Sequence, residues 1–243
     1  GLWWWHVRAG QWPWRRATAW CAGGDGHGGC VAEGCGGCDF QHIERRIQGQ
    51  AKLAIVAEAY ARTARMEIDP QLRRLTEDAR RTTVRMVAGD DGVIGFRAHD
   101  SHDIVPVTNC MIAHPLINDF IANPVLEGAG EVTIRVGART NNIGVWCHEG
   151  KLANGLPAGL KTGERASISE VVGDHTYKVS MGSFFQSSPE AAELIIDSVS
   201  RRLDSLGIEG GYMVDAYGGI GALRRRRRPG HADAAALALF PRA

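Results

Sequence analysis

Long apolar runs are missing from this sequence. None approaches the roughly 18 residues that a bilayer-spanning helix requires, so a helical membrane protein is excluded as a reading. Lysine is also scarce, with 4 residues against 24 arginines. Acidic residues nearly balance them, and the net charge of +1 excludes a globally basic chain that binds polyanions by charge alone. Arginine forks still suit phosphates and base edges locally, and a GC-rich gene would give the same bias. No signal-peptide pattern is visible, and the chain is too long for a small disulfide scaffold, although its 6 cysteines are even in number. The expectation is a monomer in a reducing cytoplasm, with no membrane attachment and with cysteines held by metal. A second C-x-x-C is lacking, which makes a zinc ribbon with four cysteine ligands a poor fit. No cysteine follows Cys147.

What the chain does have is Cys35-Gly36-Gly37-Cys38-Asp39-Phe40-Gln41-His42. Two thiolates two residues apart can grip one metal centre from a single turn, and the glycines let that turn bend. Further cysteines lie at unequal distances: Cys21 and Cys30 upstream, Cys110 far downstream. Clustered thiolates plus one remote thiolate is a common way to hold a [4Fe–4S] cluster. Cys35, Cys38 and Cys110 are the firm candidates. Cys21 and Cys30 are both candidates for the fourth, since the intervening Gly-rich loop permits either. Buried free thiol is the plainer reading for Cys147.

A second constellation lies near the other end. Tyr212-Met213-Val214-Asp215-Ala216-Tyr217 reads as a buried strand running into Gly218-Gly219-Ile220-Gly221. A strand ending in a glycine-rich turn lets backbone amides approach a cofactor, although a short Gly run alone is weak evidence. Some thirty residues earlier stands Ser183-Phe184-Phe185-Gln186.

Taken in order, these residues resemble the SAM-dependent RNA (uracil-5-)-methyltransferases. The motifs are Arg16-x4-Cys21, Cys35-Gly-Gly-Cys38-x-x-Gln41-His42, Asn109-Cys110, Ser183-Phe184-Phe185-Gln186 and Asp215-x-Tyr217-Gly218-Gly219-Ile220-Gly221, covering about residues 16–223. The resemblance implies a [4Fe–4S] cluster on Cys21, Cys35, Cys38 and Cys110 that is structural or RNA-positioning. It also implies S-adenosyl-L-methionine bound through Gln186 and Tyr217, with Asp215, Gly219 and Gly221 in the same site, and RNA as the partner. Such enzymes add a cysteine thiolate to C6 of uracil, and C5 then takes the methyl group. That nucleophile would lie downstream of the glycine motif, where this sequence has no cysteine. The expectation is a fragment without its catalytic cysteine and base, and inactive alone. The alternatives are a non-catalytic iron–sulfur RNA-binding module and a zinc domain on Cys30, Cys35, Cys38 and a fourth ligand.

The implied fold is an α+β central domain with antiparallel hairpins and an iron–sulfur loop, then the start of an α/β Rossmann-like methyltransferase domain. The expected boundaries are 1–20 (an aberrant segment in place of an OB-like RNA-binding domain), 21–180 (central domain), 181–223 (start of the SAM domain) and 224–243 (aberrant basic tail). Residues 1–20 carry Trp3, Trp4, Trp5, Trp12 and Trp14 in no helix or strand period, and 224–243 open with five arginines. Both read as frame artefacts rather than as a base-stacking platform or an RNA-binding tail.

Between these features the periodicity predicts elements. A helix is expected over 44–66, with Ile47, Leu53, Ile55, Val56 and Ala59 on its apolar side. A hairpin is expected across Asp90-Asp91-Gly92, after which Asp103-Ile104-Val105-Pro106-Val107 leads to Cys110. Pro115 should break or start a helix around 111–122. Antiparallel pairs are expected at 131–136 with 143–146 and at 167–172 with 176–179. Ser188-Pro189-Glu190 should open a helix to about Leu206, with Ala192, Leu194, Ile195, Val199 and Leu203 available to pack.

Overall fold

The structure is a computed structural model that describes residues 34–40, 43, 45–76, 80–124, 126–128, 130–149, 151–152, 159–207, 215 and 218–222. The expectations for Cys21, Cys30, Gln41, His42, Tyr217, the strand at 212–217 and both terminal segments lie outside these residues. The described elements are helices α1 (Arg45–Ala64), α2 (Pro115–Ala122) and α3 (Pro189–Ser205), with ten strands between. These are β1 (Thr83–Ala88), β2 (Ile94–Arg97), β3 (Ile104–Pro106), β4 (Leu126–Glu127), β5 (Gly130–Gly137), β6 (Asn142–Cys147), β7 (Lys151–Leu152), β8 (Lys161–Thr162), β9 (Ser167–Val172) and β10 (His175–Ser180). The largest sheet is six-stranded and mixed, in the order β3-β2-β1-β5-β6-β8, and β9 with β10 forms a separate hairpin. The architecture is thus mixed α/β with hairpins, matching the expected antiparallel pairs.

The chain divides into two compact units. The first comprises residues 1–72 and 95–111. Here β2 and β3 pair antiparallel, with Phe96 opposite Val105. The cysteine loop joins this hairpin: Cys35 forms an antiparallel bridge with Ala98, and the Gly36 N–H donates to the Arg97 carbonyl at 3.0 Å. A Cβ on Gly36 would stand 2.7 Å from that carbonyl oxygen, so only glycine permits the approach. The loop leads into α1 through Ile43, whose carbonyl accepts from Gln48 Nε2 at 2.9 Å, and Lys52 Nζ sits 5.3 Å from the centre of the Phe40 ring. The apolar side expected of α1 is not buried: Ile47, Ile55, Val56 and Tyr60 are all exposed. Its apolar residues are too spread around the helix for any one face to be covered.

The second unit comprises residues 73–94 and 112–243. Strand β5 lies between β1 and β6 and pairs antiparallel with both, with Ile134 opposite Val84 and Val145. All three of these side chains are buried. The period-two pattern read from 82–87 is borne out in β1, whose Val84, Met86 and Ala88 face inward. Strand β8 was not anticipated; it adds parallel to β6 over two residues, too short for alternation to show. Helix α2 starts at Pro115, with His114 as its N-cap. Helix α3 starts at Pro189, capped by Ser188, whose Oγ accepts from the Ala191 N–H at 3.2 Å. Its inward residues are Pro189, Ala192 and Ile196; Ile195 is exposed, one position off the expected face.

Candidate cofactor-binding site

The segment between β10 and α3 carries Ser183-Phe184-Phe185-Gln186, and it is fixed along its length. At its start the Arg135 guanidinium, projecting from β5, donates from Nη1 to the Ser180 carbonyl at 2.5 Å and from Nη2 to the Ser183 carbonyl at 2.7 Å. At its end the Thr82 N–H donates to the Ser187 carbonyl at 2.8 Å, and the Ser188 cap begins α3. In between, Phe185 packs against a cluster of Ile168, Val172, Tyr177, Val179, Ala192 and Ile196 contributed by β9, β10 and α3. Phe184 points outward and is 69% exposed. Gln186 is half-buried. Among the described residues no group hydrogen-bonds its side-chain amide.

The glycine-rich turn reaches the same cluster. Ile220 and Ala222 pack on it beside Phe185, and the Tyr177 hydroxyl lies 3.4 Å from the Ala222 carbonyl as donor. The turn closes with the Gly221 N–H donating to the Gly218 carbonyl at 2.6 Å. Gly219 and Gly221 have φ of 50° and 75°, the left-handed region where a side chain is strained. Asp215 stands against this turn, since a Cβ on Gly218 would be 3.3 Å from its Oδ2. Gln186, Asp215, Gly219 and Gly221 are thereby carried by two segments that share one hydrophobic anchor. Of the expected cofactor residues only Tyr217 lies outside the described positions.

Sequence reasoning missed two buried charged residues that brace this region. Glu170, fully buried on β9, accepts from the backbone N–H groups of Ala138, Arg139 and Val171 at 2.7, 3.2 and 2.9 Å, closing the β5–β6 turn. Arg139 in turn donates to Glu193 on α3, an ion pair that holds the Arg139 guanidinium above its ordinary value. Arg135 is 5% exposed, and burial pulls its pKa down to about 10. Arg135 alternates on the same side of β5 as Glu131 and Thr133, the polar half of the strand's pattern, so its burial had no local signal.

The expected metal ligands Cys35, Cys38 and Cys110 all fall in the first unit, with Cys110 buried and the other two half-buried. Among the described residues, no three His, Cys, Asp or Glu side chains are gathered closely enough to hold a metal ion. The donor chemistry of the three thiols fits a cluster, and both candidates for the fourth ligand lie outside the described residues. Cys147 stands on β6 in the second unit, where burial pushes its thiol up, as suits an unreactive cysteine. Among the described residues no helix is long and apolar enough to cross a membrane.

No family model matches the chain. Among curated proteins it is 28% identical over 222 residues to an uncharacterised RNA methyltransferase of Streptomyces coelicolor, covering 77% of this chain and 47% of that protein. It is 32% identical over 149 residues to one from Caldanaerobacter subterraneus, covering 59% of this chain and 31% of that protein. It is also 33% identical over 94 residues to a 23S rRNA (uracil(1939)-C(5))-methyltransferase RlmD of Vesicomyosocius okutanii, over 36% of this chain and 21% of that one. Among solved structures, the Pyrococcus abyssi tRNA (uracil-54, C5)-methyltransferase in complex with S-adenosyl-L-homocysteine superposes with a TM-score of 0.54 at 20% identity, over 78% of this chain and 54% of that one. That likeness is one of fold. The chain spans about half the length of the Streptomyces relative and the Pyrococcus structure. The resemblance read from the motifs is borne out as a likeness: the chain is similar in sequence to RNA methyltransferases, uracil-C5 enzymes among them.

Proposed function

We propose that this chain carries the cofactor-binding segments and the cysteine-rich unit of a SAM-dependent methyltransferase acting on C5 of uridine in tRNA or rRNA. The observation that carries the reading is the shared anchor. Phe185 from the Gln186 segment and Ile220 and Ala222 from the glycine turn pack against one cluster, which supports reading two segments distant in sequence as parts of one site. S-adenosyl-L-methionine, when bound, would supply the methyl group. Gln186 would hold it through an amide that no described residue occupies, Asp215 would accept from its polar groups, and the Gly219–Gly221 backbone would approach closely. RNA is the proposed partner, by likeness to the relatives named above. Cys35, Cys38 and Cys110, with Cys21 or Cys30, are proposed to bind a [4Fe–4S] cluster that shapes the first unit without entering turnover.

Binding of S-adenosyl-L-homocysteine, measured by calorimetry, tests the site. Gln186→Ala should weaken it about tenfold, the equivalent of losing one hydrogen bond to a charged group, with an unchanged melting temperature. A flat wild-type titration would refute the reading.

A further inference from the structure

We infer that Arg135 is the positioning residue of the cofactor segment: by bridging the Ser180 and Ser183 carbonyls, its guanidinium sets where Gln186 is presented. This rests on the reading of Gln186 as a cofactor contact and assigns that contact its control point.

Arg135 is an anomaly in its sheet. It sits on β5 with Ile134 and Val136 as neighbours, all three buried. Long charged side chains are almost never fully buried without a partner charge. Among the described residues no carboxylate pairs with Arg135; burial alone accounts for its lowered pKa. Its donors go to neutral oxygens: Nε to Thr83 Oγ1 at 3.2 Å, Nη1 to Ser180 O and Nη2 to Ser183 O. The planar fork matches two carbonyls three residues apart, and a lysine would reach only one well. Those carbonyls flank the bend at which the chain leaves β10 and turns towards Gln186. The bend is tightened by the Ser180 and Ser183 hydroxyls, 2.5 Å apart. No other described side chain holds both ends of that bend. With the Ser187 carbonyl bound to Thr82, the three residues from Phe184 to Gln186 form a short arch between fixed supports. Phe185 packs against the core, Phe184 faces outward and Gln186 is half-buried. Release of the Arg135 support leaves that end of the arch held only across the bend itself, by the Ser180–Ser183 hydroxyl pair and the Ser183 N–H donating to the Ser180 carbonyl at 3.2 Å.

The test uses the 243-residue chain with Arg135→Met, Arg135→Lys, Gln186→Ala and the Arg135→Met/Gln186→Ala double variant. Affinity for S-adenosyl-L-homocysteine is read by calorimetry, and amide hydrogen exchange is read residue by residue. Arg135→Met should weaken binding about tenfold and raise exchange at 183–187 while leaving 167–172 and 189–205 as in wild type. Arg135→Lys should recover part of both, and it decides the matter where the methionine variant does not fold. In the double variant the two losses should not multiply, because a misplaced and an absent Gln186 amide are equivalent. Exchange rising equally across β9 and α3, or losses that multiply, would show an ordinary structural residue and overturn the inference. Unchanged affinity in Arg135→Met would overturn it alone. Absence of binding by the wild-type chain would instead sink the underlying reading of the site, and this inference with it.

Discussion

His114 places a titratable group at a structural joint. Its Nδ1 accepts from the Leu116 N–H at 3.3 Å, capping α2. Only the unprotonated nitrogen can accept. Burial lowers the pKa from 6.5, and the acidic side chains of Glu170, Asp119 and Glu190 offset this only in part. A base whose folded pKa lies below its unfolded value binds fewer protons when folded, so stability rises with pH through that window. The His114 contribution is therefore complete above pH 6.5 and is lost as pH falls from there through the lowered folded value. His114→Asn keeps an acceptor at the cap and removes the proton. Urea midpoints at pH 7.5 and 5.5 should differ less for this variant than for wild type, while the two proteins should agree within about 0.5 kcal/mol at pH 7.5. Equal pH slopes in the two proteins would show that His114 does not titrate against the cap.

Helix α3 shows what an element's sequence can and cannot specify. Its boundaries were legible: Ser188, Pro189 and Glu190 supply cap, fixed φ and dipole partner, and Gly207 with φ of 65° ends it. Its facing was not. The run Leu194-Ile195-Ile196 offers three adjacent apolar residues, and choosing among them needs the partner surface of β9 and β10. Ile196 is 3% exposed within the cluster, whereas Ile195 is 40% exposed. Ile196→Ala should cost about 2–5 kcal/mol and Ile195→Ala under about 0.5 kcal/mol, as measured by urea unfolding; a reversed order would mean the helix is rotated. The hairpins were readable for a related reason. Asp90-Asp91-Gly92 and the alternation in β1 are local signals, and so are the paired runs of β5 with β6 and β9 with β10. Strands β4, β7 and β8, of two residues each, exist only through their partners. For the site, Gln186 and the glycine turn were named by motif. The supports that hold them, Arg135, Thr82 and Glu170, depend on contacts 32 to 105 residues apart, which no local pattern carries.

At the scale of the whole molecule the two units differ in what holds each of them together. Nearly every buried apolar side chain among the described residues belongs to the second unit; the first contributes Val107 and Cys110. Helix α1 leaves Ile55, Val56 and Tyr60 exposed, so its burial adds little. Where the described residues bury so little apolar surface, a cross-link or a metal adds most to stability, and the cysteines of the first unit are the proposed means. If a [4Fe–4S] cluster is that means, protein purified without oxygen should be brown, and Cys110→Ser should lose most of the visible absorbance. Removing iron and sulfide should then raise amide exchange throughout 95–111 and α1 to near unfolded rates. The β1, β5, β6 and α3 amides, whose protection comes from apolar burial, should stay within about tenfold of their original values. Zinc bound at one equivalent with no visible band would point instead to a zinc domain on Cys30, Cys35 and Cys38. Full protection of the first unit after metal removal would show that it stands without any cross-link, and the cluster proposal would then have no structural role to fill.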